Sequence, residues 1–257
     1  MRHFVEPGSI VRRIWGRSDT ILLVFGGAAA EFALNRAVDW LFFTGAIPRD
    51  PIGRLFSTAA FAREIAFGSR EEAEATLARI RGAHAAVERA RGGTIPDWAH
   101  RDVLYMLIAY SERAQELLER PLTGPEREEL YAVFRRIGEG LGVRELPASY
   151  AEWRADRIRH LERDLAVSSF THKLYAAYRR HLGPLRYAML LEVQALLVPP
   201  MVRRLLGLRG SRGGSLGVGV YRGLRRAGLG PLAQRVLVPP RYWADLGRLE
   251  QRDADAA

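Results

Sequence analysis

The sequence predicts an all-α protein, and three observations carry that expectation. Apolar residues recur at steps of three and four along most of the chain, and no stretch alternates at period two. Three segments open with Ser or Thr followed three residues later by Glu, the reciprocal capping arrangement of a helix start: Ser69 with Glu72, Thr123 with Glu126, and Ser149 with Glu152. The 257 residues are 48% apolar and 26% charged, an ordinary globular composition with enough material for a sizeable core.

Taken in order, Pro7-Gly8-Ser9 leads into a short amphipathic piece. The stretch "TILLVFGGAAAEFALNRAVDWLFF" predicts one apolar helix over residues 19–43. Glu31, Arg36 and Asp39 interrupt it, so its uncharged part is too short to span a bilayer and it reads as a buried helix. Asp50 and Pro51 supply the cap and first turn of a helix ending near Gly68. In the segment opened by Ser69, the residues Ala73, Leu77, Ile80, His84 and Val87 fall on one face. After the turn "RGGTIPD", the segment "WAHRDVLYMLIAYSERAQELLE" is apolar around so much of its circumference that it is expected at the centre of the fold. The other two capping pairs open "REELYAVFRRIGEGLG" and "YAEWRADRIRHLERDLA". "FTHKLYAAYRRHL" and "PLRYAMLLEVQALLV" predict two further helices.

From Pro199 the texture changes. "PPMVRRLLGLRG" and "PPRYWADLGRLEQ" each place a double proline before a basic amphipathic helix. The glycine-rich stretch between them, with Gly217 and Gly219, lacks the preceding strand and the spacing of a dinucleotide loop. Residues 199–257 hold 11 Arg against 4 acidic residues, so +7 of the chain's net +10 lies there. The expected organisation is a body over residues 1–198 and a basic helical extension over 199–257. The extension would pack on the body through Leu205, Leu206, Leu208, Val236, Leu237 and Trp243. Its arginines, with Tyr221, Tyr242 and Trp243, offer a surface to acidic headgroups or nucleic acid. The plainer reading is a solvated basic face, which leaves no nucleic-acid partner expected and peripheral membrane contact as an open alternative. The N-terminus has no apolar core followed by a small-residue cleavage site, so a cytoplasmic location is expected.

The chain contains no cysteine, which removes disulfides, zinc–thiolate sites, iron–sulfur clusters and cysteine nucleophiles. Any metal must be held by His, Asp, Glu or Tyr. His84, on an apolar stripe, is either a core histidine satisfied by a neighbour or a metal ligand. Arg54 and Thr58 stand four apart and project from one helix face, with Phe61 and Ile65 continuing it inward. Arg54 is either half of an ion pair with Glu31 or Asp39, or a fork for a cofactor carboxylate or a bound oxygen species. Glu31 and Asp39 are candidates for a catalytic acid or base, with salt-bridged core carboxylates as the plainer account. His3 falls in a loose terminus and His100 in the first turns of a helix. His160, His172 and His181 stand among arginines and read as solvated or interfacial.

Seven stretches in order carry a resemblance: "PGSIVRRIWG", "ILLVFGGAAAEFAL", "DPIGRLFSTAAF", "FGSREEAEATLARIRGAHAAV", "RPLTGPEREELYAVFRRIGEGLGV", "LPASYAEW" and "LLVPPMVRRLLGL". The chain resembles the rubber oxygenase and mycophenolic-acid oxygenase (MpaB/Lcp) catalytic-domain family over nearly its whole length. The resemblance implies a globin-like helical core with b-type haem, and a haem-dependent oxygenase or dehydrogenase that uses dioxygen on an apolar, unsaturated or terpenoid-like substrate. By motif position it implies His84 as the iron ligand, and Arg54 and Thr58 as catalytic residues opposite it, Arg54 also contacting the cofactor. Phe56, Phe61 and Leu104 are expected to shape the substrate pocket. The chain departs from the family where rubber oxygenases carry a lysine and this chain has Ser57. It departs again where many members have His-Pro and this chain reads "NRAVDW", and where the central helix offers "LYMLIAY" in place of Trp-Val-His. A non-catalytic helical protein that kept the fold is the alternative these departures favour.

Overall fold

A computed structural model describes residues 3–45 and 49–250; the end of the expected extension, residues 251–257, lies outside the described residues. Helices account for nearly all of the regular structure, and among the described residues there is no strand beyond two isolated bridges. In chain order they are α1 (Ile10–Trp15), α2 (Ser18–Phe32), α3 (Val38–Phe43), α4 (Pro51–Phe67), α5 (Arg70–Arg91), α6 (Asp97–Leu118) and α7 (Gly124–Leu141). Then come α8 (Tyr150–Asp164), α9 (Ser169–Leu197), α10 (Pro200–Leu205), α11 (Arg212–Arg226), α12 (Gly230–Leu237) and α13 (Trp243–Glu250), the last entered through a 3₁₀ turn at Pro240–Tyr242.

The expected starts are present. Ser69 and Thr123 accept from the backbone of Glu72 and Glu126, whose side chains reach back to the cap nitrogens. Ser149 also accepts from Glu152 N at 3.2 Å, but the Glu152 carboxylate takes Ala148 N instead, so the third box is half closed. Asp50 caps α4 by accepting from Gly53 N.

The single helix expected over residues 19–43 is broken into α2 and α3. At the break the backbone finds partners outside the helix: Arg36 N donates to Asp164 O at 2.9 Å and Ala166 N to Leu34 O at 2.8 Å. The Asn35 side chain accepts from Ala37 N and donates to Asp102 at 2.6 Å. An amide side chain that bonds its own backbone offers an alternative to the helical ladder, and here it prevails.

The fold is organised on α2 and α6, which run against each other along most of their length. At their closest approach Gly27 faces Tyr110, and a Cβ there would lie 2.3 Å from the ring. Helix α6 is buried as expected, from Ala99 through Tyr105, Ile108 and Tyr110 to Leu118. Helices α1, α7, α8 and α9 pack against this pair. The expected two helices from Phe170 to Val198 are present as the two halves of α9, separated at Gly183, whose φ of 76° only glycine adopts without strain and which precedes Pro184. Gln194 ties the second half to α2, donating to Gly26 O at 3.0 Å.

Val202, Val238, Tyr242, Leu246 and Leu249 of the C-terminal part are buried in the main core, and Leu205, Leu206 and Leu208 pack partly against it. Val236 and Trp243, expected to be covered, are exposed instead. No helix among the described residues is long and apolar enough to cross a membrane.

Candidate functional site

α2, α4, α5, α6, α9 and the end of α12 line a half-open cavity of about 400 Å³, within the roughly 300–1,000 Å³ range of small-molecule sites. Its wall is hydrocarbon, from residues such as Leu22, Phe25, Ile52, Met106, Leu190 and Val193. The polar side chains on that wall are Arg54, Thr58, His84, Tyr178 and Arg186. The structure therefore brings together the three residues that sequence spacing and resemblance single out, from two successive helices.

His84 is placed differently from the sequence expectation in one respect. Ala73 and Leu77 of its stripe are in the core, but Ile80, His84 and Val87 are only half-buried. The stripe leaves the core as α5 runs outward, and His84 looks into the cavity. Its imidazole is pushed down to about 4 by burial, then by the neighbouring His100 and the Arg54 cation, against the opposing pull of Glu88. At neutral pH the ring is uncharged, the form that ligates a metal.

Arg54 is exposed at the cavity wall. The carboxylates expected as its ion-pair partners are engaged elsewhere: Glu31 with Arg157 at 2.7 Å and Asp39 with Arg91 at 2.5 Å. The Thr58 hydroxyl donates to Arg54 O at 3.0 Å, the ordinary rotor of a helical threonine, and must turn to donate into the cavity. Ser57 bonds the same carbonyl, is exposed, and is not on the cavity wall.

Of the expected pocket shapers only Phe56 lines the cavity. Leu104 is buried in the main core against α7, and Phe61 lies under the Arg79 guanidinium at 5.4 Å. Both sit on helices that bound the cavity but on other faces, which spacing within one helix cannot reveal.

His100, which in sequence reads only as a residue in the first turns of a helix, is the neighbour of His84. Its ring centroid lies 4.9 Å from that of His84, with the planes at 40°. Burial lowers its pKa, with Glu88 and Asp97 opposing. The available signal was the triplet Trp98-Ala99-His100: the Trp-x-His pattern sought in Leu104–Tyr110 occurs earlier, at the start of the same helix.

A second polar constellation lies in the core, away from the cavity wall. Glu31, 2% exposed, accepts bidentate bonds from Arg157 at 3.0 and 2.7 Å and a third from Tyr110 at 2.8 Å. This is the salt-bridged core carboxylate reading of Glu31; Asp39 is also salt-bridged, to Arg91, but is only half-buried. His160, which reads in sequence as solvated, is buried, with Nδ1 2.5 Å from Asp102 and 3.2 Å from Asp164. Burial raises the Asp102 pKa, with the His160 hydrogen bond opposing. Ligand atoms of Asp102, His160 and Asp164 lie within 4.8 Å of one another, so three donors for a cation are at hand. They are also already bonded: Asn35 donates to Asp102, and Arg163 donates to both oxygens of Asp164. The remaining histidines do not reach the cavity wall. His3 bonds Arg12, His172 is exposed, and His181 stands between Arg241 and Asp50.

Among known protein families, the one described as "ER-bound oxygenase mpaB/B'/Rubber oxygenase, catalytic domain" matches residues 12–227. No curated protein and no solved structure matches the chain.

Proposed function

Because the chain belongs to the family of the ER-bound oxygenase mpaB/B' and rubber oxygenase catalytic domains, we propose that it is a haem-dependent oxygenase acting on an apolar small molecule. The observation that carries this reading is the convergence of Arg54, Thr58 and His84 on one hydrocarbon-walled cavity.

The residues present fit a b-type haem. An uncharged imidazole at His84 is the donor, and the chain has no thiolate to compete with it. The cavity wall offers apolar surface for a macrocycle, and Arg54 and Arg186 are cations for its carboxylates. When bound, the haem supplies the activation of dioxygen.

The chain's own residues supply the rest. His84 fixes the cofactor through a neutral ring nitrogen. Arg54, from the exposed rim, and Thr58, once its hydroxyl turns, would offer a cation and a donor to negative charge developing at the reacting oxygen. Leu22, Phe25, Met106 and Leu190 hold an apolar substrate and exclude water. Such walls suit an unsaturated or terpenoid-like hydrocarbon. Dehydrogenation of the same substrate class is the other outcome open to this site.

The test is the absorption spectrum of the protein expressed with a haem precursor, with iron measured alongside. Wild type should show a Soret band, and His84→Leu should lack it while melting normally. A wild type without haem, or a His84→Leu with an unchanged Soret band, overturns the proposal. The rival reading, a relative that kept the fold and lost the chemistry, rests on Ser57 standing off the cavity wall where rubber oxygenases carry a lysine. It predicts a haem-free wild type.

A further inference from the structure

Two consecutive helices on one side of the molecule are built inside out. α11 turns its polar residues toward the body: Tyr221 donates to Asp19 at 3.1 Å, and Arg225 reaches Asp19 at 2.7 Å and Glu119 at 2.5 Å. Its opposite face carries Leu216, Val220 and Leu224, spaced four apart; Leu216 and Val220 are 69% and 56% exposed. α12 repeats the arrangement. Gln234 is buried, while Leu232 and Val236, also four apart, are each 60% exposed. A helix on the surface of a soluble protein normally does the reverse.

α11 and α12 also carry cations: Arg225 is paired with Asp19 and Glu119, while Arg222, Arg226 and Arg235 stand outside those pairs. Residues 193–244 contain nine arginines and no Asp or Glu. Apolar side chains flanked by arginines such as Arg222, Arg226 and Arg235 are the composition of a helix that lies in the headgroup region of an acidic bilayer. Nucleic acid would use the arginines but leaves the leucine and valine stripe without a role. A second copy of the chain would set these arginines against their own counterparts.

The surface also adjoins the cavity. Arg186 Nε donates to Val236 O at 2.8 Å, and Arg186 and Leu237 are both on the cavity wall. We propose that α11 and α12 form a docking surface for an anionic lipid bilayer, with Leu216, Val220, Leu232 and Val236 at the headgroup boundary and the arginines on acidic headgroups. Docked in this way, the chain would present the α12 side of the cavity to the lipid phase in which an apolar substrate dissolves. The proposal does not depend on the cofactor.

The test is co-sedimentation of the full chain with phosphatidylcholine vesicles and with mixed phosphatidylcholine–phosphatidylglycerol vesicles, at low and high salt. Wild type should bind only the mixed vesicles, and less at high salt. Leu232→Glu/Val236→Glu, at exposed positions, should lose binding at least tenfold with an unchanged melting curve. Arg226→Gln should weaken binding roughly fivefold. Failure of wild type to bind the mixed vesicles, or equal binding by the double variant, overturns the proposal. So does tighter binding to duplex DNA that the apolar substitutions leave unchanged, or salt-insensitive self-association that they abolish.

Discussion

His84 and His160 stand in the two polar regions of the molecule, and their surroundings differ in kind. His160 lies among groups that belong to the protein: Asp102 and Asp164 share its Nδ1, and Asn35 and Arg163 occupy the remaining carboxylate oxygens. His84 meets another imidazole on one side and a cavity on the other. The first arrangement satisfies buried polar atoms with protein partners and joins the break after α2 to α6 and α8. The second leaves polar atoms facing a volume that no protein atom fills, which suits a ligand. The presence of an ionisable residue inside a helical fold does not separate the two roles; the identity of its partners does.

Substitutions should divide along the same line. Arg157→Ala leaves Glu31 buried with Tyr110 alone and should cost roughly 3–5 kcal/mol, read as a large fall in thermal midpoint. His160→Ala sets Asp102 and Asp164 without their shared partner and should cost about 1–3 kcal/mol in a denaturant titration. Gly27→Ala forces a Cβ against the Tyr110 ring and should cost about 1–3 kcal/mol through overpacking. On the cavity wall, Arg54→Ala should move stability by no more than about 0.5 kcal/mol, while turnover of an apolar substrate by the haem-loaded protein falls about 10²–10³-fold. A melting loss for Arg54→Ala as large as that for Arg157→Ala would erase the distinction.

The smallest effect is a pH dependence. The folded pKa of His84 is near 4, below the ordinary 6.5. The unfolded chain therefore takes up a proton on this ring before the folded chain does. Its contribution to stability is complete above pH 6.5 and declines as pH falls toward 4. His84→Leu should remove that component from the stability–pH profile of the unloaded protein. An unchanged profile would place the imidazole in water.

Much of the fold is legible in the sequence because it is written locally. Ser69 with Glu72 and Thr123 with Glu126 cap helices with groups three residues apart, and Gly183-Pro184 interrupts α9 by its own backbone limits. The break at Asn35 is not legible. Its partners Asp102 and Asp164 lie far along the chain, and only tertiary packing brings them to the backbone. The same limit explains His160: Arg159 and Arg163 beside it in sequence suggest solvent, but they leave the helix on other faces. For the site, spacing places Arg54 with Thr58 and puts His84 on the inward stripe. Periodicity cannot say whether that stripe ends against side chains or against a cavity. The stripe of α11 is hidden for a related reason, since nothing in its sequence reveals that Asp19 and Glu119 draw the polar face inward.

The contact between Gly27 and Tyr110 also decides which wall of the cavity is free to breathe. A slide that brings Ala28 under the ring meets a Cβ, so α2 resists movement along α6 in that direction. Beside α2, to which Gln194 ties it, the second half of α9 follows the bend at Gly183 and meets α12 through the bond from Arg186 to Val236. Ligand traffic is therefore expected past α9 and α12, and the stiffness of that bend becomes a control on rate that is separate from the chemistry at His84. Hydrogen exchange should be faster in Leu185–Leu190 than in Tyr105–Tyr110, and Gly183→Ala, strained at its positive φ, should change ligand exchange rates more than ligand affinity.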